Sequence, residues 1–466
     1  MWTPTLDTTD ALKHRAILDA LRADIEAGRL RAGDRLPASR VLAAELGLAV
    51  GTVARAYREA AADGLIQSEV GRGTHVLGQA PRHVAGAAFG ARSDGLIDLS
   101  IDYPLEQLDP DPGPVLDRLA RGPNRMELMK YVASEGSPRA RAAGVEWAKR
   151  YGLANRAMED VILCSGNQHA LTVSLASVFD GRAGRIFVEA LTYPGFREAA
   201  GLFGLQPEPI AIDEEGMIPE ALDEACEKSN TDAPSVVYVV PSLHNPTTVA
   251  MSAKRREALA RVAERRGLFV IEDDVHRLHA DEPAAPIATL APDRTFFIAG
   301  MSKVVSAGLR IAYLFPPRGL VNAAARRVLA TQWTVPPLMA EIAAQWIDDG
   351  TADAVRRAKG KEAAERQRIA AGILTSFGCL RSQAQSFYLW LDLPDGWTGD
   401  GFALAVARRG VGVLSDSSFR VGTGAADRCG VRICLGAANS QEDLRVALTS
   451  IEAALQQPPG YTHRIV

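Results

Sequence analysis

Residues 295–313 read TFFIAGMSKVVSAGLRIAY. The run from Thr295 to Ala299 has the length and apolar content of a buried strand. It empties into Gly300-Met301-Ser302-Lys303, and seven residues past the lysine stands Arg310 in G-L-R-I-A-Y. Working outward, similar apolar runs lie at 161–166 (VILCSG), 185–190 (RIFVEA), 235–241 (SVVYVVP) and 268–274 (LFVIEDD), separated by helix-length stretches. Strands alternating with helices describe βα units and a mostly parallel sheet. Ligands of such sheets sit beyond the carboxyl ends of the strands, which is where polar residues collect here. Ser165-Gly166-Asn167-Gln168 follows one run and opens a helix, whose N–H groups and dipole suit an anion such as phosphate. Another run ends in Glu272-Asp273-Asp274. Singly, each feature is ordinary: a lone lysine is usually a surface charge, S-G-N a common turn, an acidic pair often a cap.

At 466 residues the chain is long enough for several domains of roughly 150 residues each. Apolar residues make up 47% and charged residues 23%, the balance of a folded globular protein, and the net charge is −4. Bulk charge therefore does not mark a polyanion binder. The five cysteines, Cys164, Cys226, Cys379, Cys429 and Cys434, are scattered and form no C-x-x-C pair. That argues against a disulfide framework or a zinc cage, and no metal site is expected. The start, MWTPTLD, lacks the basic-then-apolar order of a secretory signal. No stretch approaches the ~18 apolar residues of a membrane helix. A cytoplasmic chain without a membrane segment is expected.

Residues 11–78 have a different texture. They hold ten Lys/Arg against eight Asp/Glu, a small basic excess that points any nucleic acid toward this end. Ile17, Leu21 and Ile25 fall four apart, an apolar helical stripe that Gly28 can end. Val41, Leu42 and Leu46 mark a short second helix that Pro37 can enter and Gly47 can stop. A third helix carries Val53 and Tyr57 on one face. LIQSEV-GRG-THVL then alternates about a Gly-rich turn, a hairpin pattern. Three short helices and a two-stranded wing make an α+β winged helix-turn-helix, a module that lays its third helix in the major groove. Residues 79–95, QAPRHVAGAAFGARSDG, read as a linker.

The module resembles the GntR family of bacterial regulators through G-R-L-x-x-G-D-x-L-P-x-S-R (Gly28 to Arg40), T-V-x-R-A-Y (Thr52 to Tyr57) and G-L-I…G-R-G-T-x-V (Gly64 to Val76). The resemblance implies that Arg40, Thr52 and Arg55 at the start of the third helix, and Arg72 and Gly73 of the wing, lie against DNA. Ala49-Val50 stands where the family has Ser-Arg, so a preferred N-cap worth about 1 kcal/mol and a basic contact are missing.

From Leu96 onward, the strand-end segments in this order resemble the fold-type I pyridoxal-phosphate aminotransferases: an α/β large domain with a mostly parallel sheet, and a small C-terminal α+β subdomain near 340–466. The resemblance implies that Lys303 bonds the cofactor's aldehyde as a Schiff base and that Asp273 keeps the pyridine nitrogen protonated. It implies that Asn245, in H-N-P-T, donates to the phenolic oxygen and that Tyr193, in T-Y-P-G, stacks on the ring. Gly166, Asn167 and Gln168 with Ser302 and Arg310 would cradle the phosphate. Tyr131 resembles a tyrosine contributed across a dimer, and Arg432, in V-R-I-C-L-G, one that clamps a carboxylate. The residue types suit the chemistry. A lysine attacks an aldehyde only when unprotonated, a carboxylate at the ring nitrogen makes the ring an electron sink, and a guanidinium grips a carboxylate bidentately. Four places depart from the pattern: His276 replaces a tyrosine that meets the phenolic oxygen, Gly300 replaces a serine, Thr248 replaces a glycine, and Tyr131-Val132-Ala133-Ser134 stands where the family has Y-G-D-P. An imidazole at 276 can still donate to the cofactor or sit as an inert core histidine.

The two modules in one chain resemble the MocR/GabR family of transcriptional regulators. That implies a homodimer carrying pyridoxal 5′-phosphate, binding double-stranded operator DNA at two half-sites and sensing the cofactor or a small amino compound at Lys303. It places the protein on the nucleoid when bound to DNA. Two alternatives stand beside this: a genuine aminotransferase with a vestigial winged helix, and a regulator that has lost the cofactor.

Overall fold

In the computed structural model, Ile17, Leu21 and Ile25 line one face of the helix Lys13–Glu26 and are buried. The structure describes residues 2–4, 13–26, 29–30, 34–62, 65–69, 73–76, 96–228, 233–277, 284–374, 380–422 and 429–457. The linker reading of 79–95 and the positions Gly28, Arg72 and Cys379 lie outside them. The second helix, Ser39–Leu46, ends at Gly47, whose left-handed conformation (φ 64°) turns its N–H back onto the Ala43 and Ala44 carbonyls. Leu42 is buried, but Val41 is 43% exposed, because one residue turns about 100° around a helix and only one of the two can face inward. Val53 and Tyr57 of the helix Val50–Ala62 are buried, and Tyr57 donates its hydroxyl to the Pro37 carbonyl at 3.0 Å. The wing differs from the two-stranded expectation. Arg35–Leu36 pairs antiparallel with Gly73–Val76, which also pairs with Ile66–Glu69, making three strands. Two residues are too short a run to show alternation, so periodicity could not mark the extra strand.

The larger module is built on a seven-stranded sheet in the order Ile162–Cys164, Ala312–Phe315, Thr295–Gly300, Phe269–Asp273, Ser235–Val239, Arg185–Glu189, Pro207–Ile210. All pairings are parallel except the two made by Ala312–Phe315. Beyond their first residues the central strands are buried on both faces, which explains continuous apolar runs instead of alternation. Helices cover the two faces with separate apolar clusters, one around Trp147, Tyr313 and Trp346 and one around Leu171, Phe196 and Tyr238.

A second, antiparallel sheet joins Leu380–Arg381, Tyr388–Asp392, Gly430–Cys434 and Leu414–Ser415. The helices Thr351–Leu374, Gly399–Ala407 and Gln441–Leu455 share its core. Early residues also belong here. Ile97–Asp98 pairs in parallel with Val411–Gly412, Leu99 is buried in this core, and the Leu99 carbonyl accepts the Cys434 N–H at 2.8 Å. This return of the chain carries residues 100–104 to the carboxyl edge of the large sheet.

Candidate functional site

Register brings the strand ends together. Ala312 lies opposite Gly300 on one side and Cys164 on the other, so the turns 165–168 and 300–303 emerge side by side. Next to them, Asp273 closes the strand Phe269–Asp273 opposite Ile298. The helix Asn167–Phe179 starts at Gly166 with no side-chain cap, leaving its first N–H groups to be satisfied from outside. Gly166 has φ +82°, and a Cβ there would stand 2.5 Å from Arg310 Nη2; only glycine lets the turn approach the guanidinium this closely. Arg310 also reaches Ser302 Oγ at 3.5 Å. Gly300 is required for a similar reason: a Cβ would fall 2.0 Å from Asn167 Oδ1. The departure from serine therefore makes room for the Asn167 side chain.

Asp273 is 3% exposed and accepts from Asn167 Nδ2 at 2.8 Å and from the Tyr238 hydroxyl at 3.2 Å. Burial pushes its carboxyl above the ordinary aspartate range, against the pull of His276 and of these two donors. It is a buried acid that a ring N–H⁺ would satisfy. Tyr193 precedes the helix Pro194–Gly201 and is partly buried; burial, with Asp273 and Asp102 adding to it, pushes its phenol up to about 12. Gln168 donates through Nε2 to the Gly195 carbonyl at 2.6 Å. Asn245 Oδ1 accepts from Arg432 Nη1 at 2.8 Å, and Arg432 Nη2 donates to the Ser100 carbonyl, also at 2.8 Å. The guanidinium of Arg432 lies 4.9 Å from the Phe419 ring centre and 5.7 Å from that of Tyr388.

At the centre is a residue that sequence reasoning missed. Asp102 Oδ2 lies 3.1 Å from Lys303 Nζ and 2.7 Å from His276 Nε2, and Lys303 Nζ also donates to the Asp102 backbone carbonyl. Burial pushes the Asp102 carboxyl up, but Lys303 and His276 outweigh it and hold the group far below the ordinary aspartate range. His276 is thus no isolated core histidine: it is buried, engaged by a carboxylate and set edge-on to Tyr388 at 5.3 Å. Asp102 lies 201 positions from Lys303, and it is brought here by the pairing of Ile97–Asp98 with Val411–Gly412 and by the bonds that the Leu99 and Ser100 carbonyls accept from Cys434 and Arg432. The one available signal was an acid just after the alternating run Ile97-Asp98-Leu99-Ser100-Ile101.

Tyr131 stands apart from this cluster, 82% exposed, its ring 5.7 Å from that of Trp333. In the winged-helix module Arg40 and Arg55 are exposed and Thr52 half-buried. Arg55 Nε pairs with Glu59 at 2.9 Å, one helical turn on. Gly73 opens the strand Gly73–Val76. Among the described residues no group of His, Cys, Asp or Glu could hold a metal ion, and no helix is long and apolar enough to cross a membrane.

The pocket fits pyridoxal 5′-phosphate. Asp102 Oδ1, Asn167 Oδ1, Gln168 Oε1, His276 Nδ1 and Arg432 Nε are buried without a hydrogen-bond partner among the described residues, an expensive state unless a polar ligand completes them. A free helix N-terminus beside Arg310 suits a phosphate, Asp273 suits a protonated pyridine nitrogen, and Lys303 suits an aldehyde. When bound, that cofactor supplies the aldehyde and an electron-withdrawing ring.

Comparison with known proteins agrees. Residues 100–451 match the family "Aminotransferase class I and II" and residues 13–76 match "Bacterial regulatory proteins, gntR family". The chain is 30% identical to the vitamin B6 salvage pathway transcriptional repressor PtsJ of Salmonella typhimurium, covering 91% of this chain and 95% of the relative. It is 29% identical to the HTH-type transcriptional regulator YdeF of Bacillus subtilis, covering 97% and 96%. The kynurenine aminotransferase of Pyrococcus horikoshii superposes with a TM-score of 0.71 at 21% identity, over 82% of this chain and 98% of that one, which establishes the fold. The chain belongs to the aminotransferase class I and II family and, with its GntR-type head, to the MocR/GabR group of transcriptional regulators.

Proposed function

We propose that this regulator senses pyridoxal 5′-phosphate, or a small amino compound that reaches it, through a covalent bond at Lys303, and transmits the occupancy of that pocket to an operator. The observation that carries the reading is the convergence of Lys303, Asp102, Asp273, His276, Asn245 and Arg432 from five separate segments into one buried cluster. Asp273 holds the ring nitrogen's proton, and Asn245 and His276 face the phenolic oxygen. Tyr193 lies on the ring. The turn 166–168 with Ser302 and Arg310 binds phosphate, and Arg432 takes a carboxylate. Arg40, Thr52, Arg55, Arg72 and Gly73 contact DNA in the cytoplasm, on the nucleoid.

A homodimer is part of the reading. Met126, Met129 and Tyr131 of one stretch, and Trp333 whose ring lies 5.7 Å from that of Tyr131, each expose 56% or more of their surface, apolar surface of the kind that pairs with a second copy, bringing Tyr131 to the partner's pocket. An effector changes DNA binding only by favouring one of two conformations. The test is a gel-shift titration against the DNA upstream of the gene, with and without pyridoxal 5′-phosphate. A retarded band whose midpoint moves with the cofactor is expected. No band at low salt under either condition overturns the reading. Rapid release of a keto acid from one amino donor would favour an aminotransferase instead.

A further inference from the structure

We infer that Asp102 is the fixed counter-ion of the pocket and His276 its alternate cation: when Lys303 gives up its proton, His276 takes one. The inference rests on the reading of Lys303 as the residue that captures an aldehyde. Asp102 is enclosed, and its Oδ2 touches two nitrogens that can each carry a charge, Lys303 Nζ at 3.1 Å and His276 Nε2 at 2.7 Å. An amine attacks a carbonyl only after losing its proton. At that moment the carboxylate loses its ammonium partner in a site where an unpaired charge is costly.

The surrounding groups leave one replacement. Arg432 acts on Asp102 through space, but its terminal nitrogens donate to Asn245 and the Ser100 carbonyl and neither is bonded to Asp102. Tyr388, whose ring meets His276, is a buried phenol pushed far up by burial and by Asp102, so it carries no positive charge. Tyr193, also acted on by Asp102, is neutral for the same reason. Cys434, pushed up to about 12 by burial, is neutral as well. Lys359 is paired with Asp109 at 2.6 Å. Asp273 faces His276 through space as a second carboxyl group near the ring. His276 Nδ1 is buried without a partner among the described residues. The balance closes: of the three N–H bonds at Lys303 Nζ, one gives its proton to His276 Nδ1 and two give their hydrogens to the aldehyde oxygen, which leaves as water, and the pocket keeps one carboxylate against one cation. A tyrosine at 276, the residue of the family pattern, could not do this, which gives the joint presence of Asp102 and His276 a physical reason. Both are positioning residues, acting through Lys303.

The test is to load the full-length protein with pyridoxal 5′-phosphate at a pH between the ordinary histidine and lysine values, roughly 8. The buffer is weak, uptake is followed by visible absorbance, and proton release by an indicator dye. Wild type is expected to release about one proton fewer per loaded site than His276→Gln, which keeps a hydrogen bond to Asp102 but cannot become a cation. Equal release by both proteins, with both loading, overturns the inference and leaves the reading of Lys303 intact. If His276→Gln fails to fold or load, the ¹⁵N resonances of His276 in labelled wild type decide: a change from neutral to cationic ring on loading supports it, and no change overturns it. A wild-type chain that takes up no cofactor overturns both the inference and the reading beneath it.

Discussion

Asn167 and Asp273, 106 positions apart, are joined by one hydrogen bond: Asn167 Nδ2 donates to Asp273 Oδ1 at 2.8 Å. The bond ties the turn proposed to hold the phosphate to the acid proposed to hold the ring nitrogen, so one contact would couple the two ends of the ligand. A hydrogen bond to a charged group is worth about 1.5–3 kcal/mol. Asn167→Ala is therefore expected to weaken pyridoxal 5′-phosphate binding by about ten- to a hundredfold, read by absorbance titration. Unchanged affinity would mean that the two ends bind independently.

Gly300→Ser restores the residue usual for the fold and is nevertheless expected to harm this chain. Its Cβ would enter at 2.0 Å from Asn167 Oδ1, and overpacking of this kind costs about 1–3 kcal/mol. Thermal or denaturant unfolding should show that loss together with weaker cofactor binding. In the double variant Gly300→Ser with Asn167→Ala, the two losses should fall short of their sum, because the clash with Asn167 goes with its side chain. A fully stable single variant would contradict the packing argument.

The turn before the helix Asn167–Phe179 also predicts an acid limb. The Ser165 N–H donates to His169 Nδ1 at 3.2 Å, with His169 Nε2 at 2.7 Å from Thr331 Oγ1. Only a neutral imidazole accepts at Nδ1, and burial pulls the group from 6.5 down to about 4. A lowered histidine pKa gives stability that is complete above the unfolded value and is lost as pH falls through the folded one. Wild type should therefore lose stability from pH 6.5 toward about 4 more steeply than His169→Asn, by at most about 1.4 kcal/mol per pH unit. Parallel denaturation curves for the two proteins at every pH in that window would remove His169 from the account.

The DNA-binding head should respond separately. Arg40 is exposed on the helix Ser39–Leu46, whereas Arg55 is paired with Glu59. Arg40→Ala is expected to weaken operator binding and flatten its salt dependence by about one phosphate contact, with cofactor absorbance unchanged. A bleached cofactor in Arg40→Ala would show that the two modules do not divide the work.

Contiguity decided what could be read in advance. Lys303 and Arg310 share one strand-to-turn segment, and Asp273 and Asn167 each stand at the end of an apolar run, so their register with the sheet was legible from spacing. Asp102 was not, because its place depends on two residues, Ile97 and Asp98, pairing with Val411–Gly412 more than 300 positions away. No local pattern encodes such a pairing. The strand Arg35–Leu36 escaped for want of length, and the adjacent pair Val41 and Leu42 did not say which of the two turns inward. His276 was legible as a departure but not as half of a pair, since its partner was hidden.

The central claim is that Lys303 is the residue that holds the cofactor. Its most direct test is peptide mass analysis of the protein loaded with pyridoxal 5′-phosphate and reduced with borohydride. A phosphopyridoxyl adduct is expected on the peptide containing Lys303, and none on that of Lys303→Ala. An adduct confined to other lysines, or no adduct at saturating cofactor, would contradict it.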